Sequence, residues 1–417
     1  MNNSKLIFSS GVANTFEWYD YVLFGHFASI IGEKFFPHED ASISLLNAFL
    51  VFAVGYLMRP IGGIFFGVIG DKLGRRVALS ASIMCMAIPT ALIGLLPTYD
   101  DIGFTATILM IVARMLQGLS MGGALTGSVS FVIEHVEPRN RGVAGSISMS
   151  SICIGIMLGS LVSYAVRANL TEEQFLDFGW RMPFLLGILI VFAGFYIRKN
   201  MDETPLFEKL RDEGKVEQSP LQEVISKHWL DMFVSIFINS TGSVIFYLQA
   251  IFLMTFLRAD RGFAADDVSN ILHVSYVVMA VVTVLAGWLS DFIGRRKIYV
   301  INLICIAASS FYIIGHFETG SINSVMWASI MMSIFAAVYI GPEPALQAEF
   351  YPTNVRNTAL SVSYNIATSV FGGTTPWVLT YLVQQTGSIN SCAYYVVGCA
   401  LMSIIALCFY KDRSKIQ

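Results

Sequence analysis

The chain is short of charge. Only 13% of its 417 residues are Asp, Glu, Lys or Arg, whereas 55% are hydrophobic, and the mean hydropathy is +0.64. A soluble domain carries about 25% charge, so this chain has too little polar surface to face water all round. It has no Gly-x-x-x-x-Gly-Lys-Ser/Thr run, so a phosphate-cradling loop and ATP drive are not supported. Cys85, Cys153, Cys305, Cys392, Cys399 and Cys408 lie in apolar segments with no Cys-x-x-Cys or His/Cys clustering. They read as buried small hydrophobes rather than metal ligands or disulfides. A net charge of −3 offers no basic face for nucleic acid. Neither a metal-spacing cluster nor a nucleophile–base arrangement is evident, so an enzyme, a metal and a bound cofactor are not expected.

What is present is a series of apolar runs about 20 residues long, enough to cross a hydrocarbon core of roughly 30 Å. Twelve spans are expected, at 6–31, 44–69, 77–97, 104–134, 142–166, 180–199, 229–257, 267–290, 298–317, 323–349, 357–384 and 388–410. The first run contains Glu17 and Asp20 and lacks a small-residue cleavage site, so it is expected to stay as a spanning helix. The long polar interval 200–228 divides six spans from six, giving bundles at 1–199 and 229–417. Within it, Pro205 to Leu210 and Pro220 to Ile225 have the pattern of short amphipathic helices on the membrane surface, or of a solvated linker.

The halves are related. Gly67-Val-Ile-Gly-Asp71-Lys-Leu-Gly74-Arg75-Arg76 returns as Gly287-Trp-Leu-Ser-Asp291-Phe-Ile-Gly294-Arg295-Arg296, with matched positions 220 apart. Glu134 and Arg141 return as Glu349 and Arg356 at a displacement of 215. Such a duplication reads as two related halves, each about 200 residues long. The flanks that carry these loops hold 19 of the basic residues, among them Lys5, Arg198, Lys199 and Lys415, and the opposite flanks hold 5. By the positive-inside rule the basic side, with both termini, is expected to be cytoplasmic.

A charge inside the membrane costs at least about 2.5–3.5 kcal/mol on insertion scales, so each of the few there needs a partner or a task. Glu17 and Asp20 are three apart and repel, which suits a proton site. Arg59 lies eight residues before Gly67, roughly 12 Å from the basic end. Its fork suits a first-span carboxylate, in the simplest case a permanent pair with Asp20, or a substrate carboxylate. Arg114 lies nearer the opposite end. Glu343 stands between Pro342 and Pro344, which loosen local helical bonding. The proton-coupling candidates are therefore Glu17, Asp20 and Glu343. Arg59, Arg114, Tyr21, Gln117 and Trp377 are the substrate-binding candidates, the aromatics because they suit a quaternary ammonium group. Asp71 and Asp291 can face the positive end of a neighbouring helix. Arg75/Arg76 and Arg295/Arg296 can pair with Glu134 and Glu349, and Arg141 and Arg356 can join each cluster. Glycines at fours, such as Gly63/Gly67 and Gly118/Gly122, let helix backbones approach.

Two six-span halves, each with Gly-x-x-x-Asp-x-x-Gly-Arg-Arg between its second and third spans, resemble the major facilitator superfamily. Glu17-Trp18-Tyr19-Asp20-Tyr21, Arg59-Pro60-Ile61-Gly62-Gly63, Arg114-Met-Leu-Gln117-Gly118, Gly179-Trp180-Arg181 and Glu203-Thr204-Pro205 resemble its metabolite:proton symporter branch, which includes proline/betaine, 2-oxoglutarate, shikimate and citrate carriers. The resemblance implies an all-α membrane protein of two pseudo-symmetric six-helix bundles. It implies alternating access about a midplane substrate site, with the proton gradient as energy source. Gly67, Asp71, Gly74, Arg75, Arg76, Glu134, Arg141, Asp291, Gly294, Arg295, Arg296, Glu349 and Arg356 would then be gating residues. Ala124 stands where that branch often has Glu, so its coupling scheme does not carry over whole. Gly155-Ile-Met-Leu-Gly159 lacks the proline of drug:proton antiporters, which favours uptake over efflux. An inner-membrane importer of a zwitterion or organic acid is expected, with only lipid, protons and substrate as partners, and as a monomer. An exporter of drugs, metabolites or siderophores, and a non-transporting sensor, are the other readings.

Overall fold

The computed structural model describes residues 3–39, 41–189, 192 and 202–413. Helices dominate, and among the described residues there is no strand. The chain divides into two compact units: Met1–Phe131 with Ser151–Pro220, and Val132–Ser150 with Leu221–Gln417.

The first unit is built on α1 (Asn3–Phe35), α2 (Ala41–Leu57), α3 (Arg59–Lys72), α4 (Arg75–Leu95), most of α5 (Phe104–His135) and of α6 (Arg141–Asn169), and α7 (Pro205–Asp212). The second has α8 (Pro220–Lys227), α9 (Trp229–Tyr247), α10 (Leu253–Ala259), α11 (Ala265–Ile293), α12 (Arg295–Thr319), α13 (Ile322–Ile340), α14 (Glu343–Phe350), α15 (Arg356–Ala367), α16 (Thr375–Thr386) and α17 (Ser391–Cys408). Nine helices among the described residues are long and apolar enough to cross a membrane. The expected sixth span lies partly outside the described residues, as do Arg198, Lys199 and Lys415. The eleventh is divided by a π-helical turn, Thr368–Gly372, between α15 and α16. A second π turn, Leu248–Phe252, separates α9 from α10.

The breaks have local causes. Pro60 enters the first turn of α3, where its missing N–H costs nothing, and the second span is cut at Met58. Gly74 and Gly294 join α3 to α4 and α11 to α12 with φ of 112° and 96°, a region that glycine alone enters cheaply. The repeated Gly-Arg-Arg is therefore the same turn twice. Gly341 and Pro342 end α13 just before Glu343.

In the first unit, Phe24, Phe27, Ile31 and Phe35 of α1 pack with Trp180 and Phe184. Trp180 meets Phe35 edge-on at 5.8 Å, while Arg181 donates to the carbonyls of Gly94 and Leu96 at 3.2 and 2.5 Å. The motif Gly179-Trp180-Arg181 thus closes the C-terminal end of α4. The expected burial of the cysteines holds for Cys153, Cys392 and Cys399 only. Cys305 and Cys408 are exposed, on apolar outer helix faces where a thiol sits as easily as a methyl.

Both amphipathic helices of the 200–228 interval form, as α7 and α8. Glu203, just before α7, does more than precede a helix. Its carboxylate accepts from the backbone N–H of Arg75 at 2.9 Å and of Arg76 at 3.2 Å, capping α4 from 127 residues away, and Phe207 is buried against Arg75. Glu203→Ala is expected to lower stability by about 1–2 kcal/mol, a capping loss, read as a fall in Tm in detergent. Burial pushes the Glu203 carboxyl above its ordinary value of 4.5, although the N–H donors oppose this. Its protonation therefore contributes stability that is fully present below 4.5 and is lost as pH rises through the folded-state value. Tm measured at about pH 5 and about pH 8 should show a smaller difference in Glu203→Gln than in the parent.

Candidate functional site

In the first unit the two carboxylates of α1 receive different surroundings. Asp20 is fully buried and lies 3.5 Å from Arg114 Nη1. Gln117 Nε2 donates to Asp20 at 2.9 Å and is 2.8 Å from Thr90 Oγ1, and Arg114 Nη1 donates to Gln117 Oε1 at 2.7 Å. The Arg114 guanidinium rests 4.1 Å from the centroid of Phe24. Four residues from three helices thus form one buried polar network, in which Asp20 Oδ2 has the Arg114 charge but no hydrogen bond. The permanent pair on Asp20 is therefore made by Arg114, where the sequence suggested Arg59. The reason is register: Asp20 faces α5, whose Arg114 and Gln117 share one side of the helix.

Glu17 is only 3% exposed, and neither of its carboxylate oxygens has a hydrogen-bond partner among the described residues. The cation acting on it is Arg59, itself 1% exposed, whose guanidinium lies 5.1 Å from the Tyr56 ring. Beside Glu17, Trp18 and Tyr21 form a tilted aromatic pair with centroids 5.3 Å apart. Trp377 is elsewhere: it is 70% exposed in the second unit and stacks on Tyr381.

Also in the second unit, Glu343 is buried at the start of α14 with no hydrogen bond or ion pair among the described residues. Tyr299 and Tyr339, whose centroids are 4.5 Å apart, are its ionisable neighbours. One turn on, Gln347 accepts from Ser235 Oγ at 2.6 Å and donates to Asn239 at 2.9 Å.

The arginine loops behave differently in the two units. In the first, Arg75 pairs with Asp71 at 3.2 Å and donates to the Gly70 carbonyl at 2.8 Å. In the second, which takes in residues 132–150, Asp291 accepts from the N–H of Gly142 at 2.8 Å and of Val143 at 3.0 Å, at the positive end of α6. Arg295 bridges Asp291 at 3.2 Å and Glu349 at 2.9 Å, and Arg141 adds a contact to Glu349 at 3.7 Å. Glu134 and Arg356 pair at 2.9 Å with both side chains fully buried.

Residues 6–228 match the model of the family described as sugar (and other) transporter, and residues 232–416 match that of the major facilitator superfamily. A glycine betaine/proline/ectoine/pipecolic acid transporter of Dickeya dadantii, OusA, is 32% identical over 424 residues, covering 98% of this chain and 83% of that one. A proline/betaine transporter of Escherichia coli K12 is 32% identical, covering 98% of this chain and 84% of that one. The chain belongs to the major facilitator superfamily.

It is a multi-pass membrane transporter of that superfamily, not an enzyme. Solved structures agree on the fold. The proton:xylose symporter XylE superposes with a TM-score of 0.79 at 19% identity, covering 98% of this chain and 95% of that one. The human organic anion transporter MFSD10 gives 0.73 at 15%, covering 98% and 100%. The twelve-span, two-bundle architecture is thus that of the superfamily.

Sequence reasoning passed over four residues that the structure brings to these networks: Thr90, Asn239, Gln347, and Glu203 in its capping role. Gln347 carried a usable signal, standing one turn after Glu343 on the same face. Thr90 carried none, because its partner Gln117 is 27 residues away on another helix.

Proposed function

We propose that this chain imports a small zwitterion of the proline or betaine kind together with protons, across a bacterial cytoplasmic membrane, with its basic side and both termini in the cytoplasm. The observation that carries this reading is Glu17, a buried carboxylate with no hydrogen bond among the described residues, with Arg59 as the cation acting on it. A substrate carboxylate competes with Glu17 for the Arg59 fork. Once that fork is taken, Glu17 is a buried carboxylate with neither cation nor hydrogen bond, and neutralisation by a proton costs less than leaving it charged. Substrate and proton then favour each other's binding, as coupling requires. The faces of Trp18 and Tyr21 suit the ammonium end. The names of the Dickeya and E. coli relatives support the zwitterion, and XylE, described as a proton symporter, supports proton drive within this fold.

An organic di- or tricarboxylate is disfavoured by the surroundings of Arg114. Its charge is already matched by Asp20 and Gln117, which leaves Arg59 as the cation for a single carboxylate. Glu17 carries the one coupled proton in this scheme, Asp20 is a structural group, and Glu343, buried in the second unit, is given no coupled proton.

Radiolabelled glycine betaine and proline, offered to proteoliposomes with an alkaline interior, test the proposal. Accumulation that collapses with a protonophore is the expected result. Uptake unchanged by the protonophore would overturn the coupling. Accumulation only under the inverted gradient would make the chain an exporter.

The Glu134–Arg356 pair and the Asp291/Arg295/Glu349 group are proposed to act as a latch that opens in each cycle. Glu134→Gln keeps an acceptor but removes the charge facing Arg356. It should cost about 3–5 kcal/mol, as for any buried pair that loses one charge, seen as a lower Tm, and should speed exchange of labelled for unlabelled substrate.

A further inference from the structure

The eight residues of α14 are all buried, and the helix stops abruptly at Phe350. Tyr351 is already extended, with φ of −105° and ψ of 145°, and Pro352 after it has no N–H. A helix end leaves its last four carbonyls without intrahelical donors, so α14 must find donors elsewhere. Arg356 supplies one, its Nε donating to the Ala348 carbonyl at 2.8 Å. Others come from residues 410–413, the segment that follows α17. The Arg413 N–H donates to the Glu349 carbonyl at 3.1 Å, and Arg413 Nη1 donates to the Phe350 carbonyl. Tyr410 Oη donates to the Leu346 carbonyl at 3.2 Å, and its ring stacks on Phe350 with centroids 5.1 Å apart.

The other arm of the Arg413 fork reaches α9, where Nη2 donates to Asp231 at 2.8 Å. One side chain thus ties the end of α14 to the start of α9, which a rigid planar fork can do and a point charge cannot. Net charge is not what holds the segment. Asp231 also has Lys411 at 3.6 Å and His228 Nδ1 at 3.2 Å, and Asp412 sets a like charge near Glu349. The specific contacts are those to the Glu349 and Phe350 carbonyls. The carboxylate of the same Glu349 takes Arg295 at 2.9 Å and Arg141 at 3.7 Å. Its main chain is therefore fixed by Arg413 and its side chain by the arginine loops.

We propose that Arg413 is a positioning residue for the latch: by capping α14 it sets where the Glu349 carboxylate stands before Arg295 and Arg141. This role rests on the latch reading above. Amide hydrogen exchange of the full-length protein in detergent reads the cap without transport. In Arg413→Gln the amides of the last turn of α14 should exchange about tenfold faster, the size expected on losing hydrogen bonds to a charged donor. Arg413→Lys keeps the charge without the fork and should give most of that rise. Lys411→Gln removes a charge from the same segment but no donor to α14, and should give none. Asp231 keeps Lys411 and His228 beside it in Arg413→Gln, so no buried charge is left alone. Tyr410→Phe, which loses only the Leu346 contact, should give a smaller rise and serves where Arg413→Gln is not recovered.

Exchange of labelled for unlabelled glycine betaine in proteoliposomes reads the latch. Glu349→Gln and Arg413→Gln should each speed it, with the half-saturating concentration unchanged. The double variant should be no faster than Glu349→Gln alone, because Arg413 acts through that carboxylate. Unchanged amide exchange in Arg413→Gln, or an equal rise in Lys411→Gln, would overturn the cap. Faster substrate exchange in Glu349→Gln but not in Arg413→Gln, or additive effects in the double variant, would overturn the positioning role. If Glu349→Gln leaves substrate exchange unchanged, the latch reading falls and this role with it, while the amide data still decide the cap.

Discussion

Glu17→Gln is expected to retain binding and exchange of the zwitterion while losing all uphill accumulation. In the proposed scheme one proton accompanies each substrate. A pH difference of one unit is worth about 1.4 kcal/mol and so about a tenfold concentration ratio. Proteoliposomes of the parent protein should therefore approach about a hundredfold accumulation under a two-unit gradient, and those of Glu17→Gln should stop at equal concentrations. Glutamine keeps the volume and polarity of the side chain but cannot exchange a proton. The charge of Glu17 would then no longer compete with the substrate carboxylate at Arg59, so affinity should be retained or improved and lose its dependence on pH. Arg59→Ala is the complement, with binding itself lost. Asp20→Asn separates the two carboxylates of α1. It leaves Arg114 buried beside a neutral amide, and its main effect is expected in Tm, where breaking a buried pair costs about 3–5 kcal/mol. If Glu17→Gln still concentrates substrate against a gradient while Asp20→Asn is stable and uncoupled, the roles are reversed and the proposal fails.

Gly118→Val is expected to abolish recovery of folded protein. A methyl on Gly118 would land on the carbonyl of Gly55, one on Gly62 would meet the backbone of Leu119, and one on Gly122 the carbonyl of Arg59. These are backbone atoms, with no rotamer by which to yield. Three such contacts on α2, α3 and α5 form one seam, so a single added side chain must separate helices along its whole length. Overpacking of an ordinary core costs about 1–3 kcal/mol, and a seam of backbone on backbone should exceed that range. Size-exclusion yield and Tm in detergent measure it. Gly127→Ala is the control: nothing lies within 4 Å of the added methyl, and an exposed or roomy helical position should change by no more than about 0.5 kcal/mol. Equal recovery of both variants would show that the seam tolerates separation. The same seam carries Arg59, since the carbonyl under Gly122 is its own. Gly122→Ala adds a methyl against that carbonyl and should therefore lower both Tm and transport.

Much of this protein was legible in its chain. Lack of charge together with apolar runs of membrane-spanning length leaves a membrane protein as the only economical reading. The repeated Gly-Arg-Arg frame located the two matching turns, because a left-handed φ at Gly74 and Gly294 is a property of the residue itself. The small set of intramembrane charges also singled out Glu17, Asp20, Arg59, Arg114 and Glu343 before any contact was known, since few polar side chains are tolerated there without a purpose.

The partners were not legible. Three residues along a helix turn the side chain by about 300°, so Glu17 and Asp20 point about 60° apart and meet different neighbours, and nothing local says which. Gln117 lies 97 residues from Asp20, Glu203 lies 128 from Arg75, and Arg356 lies 222 from Glu134. Pairings over such separations follow from how helices cross, and crossing is decided by packing, here by glycines thin enough to let α2, α3 and α5 touch. The chain by itself determined what kind of groups the membrane would contain. Only tertiary packing decided that Arg114 would be matched by Asp20 and Gln117, while Arg59 remained beside a carboxylate with no hydrogen bond of its own.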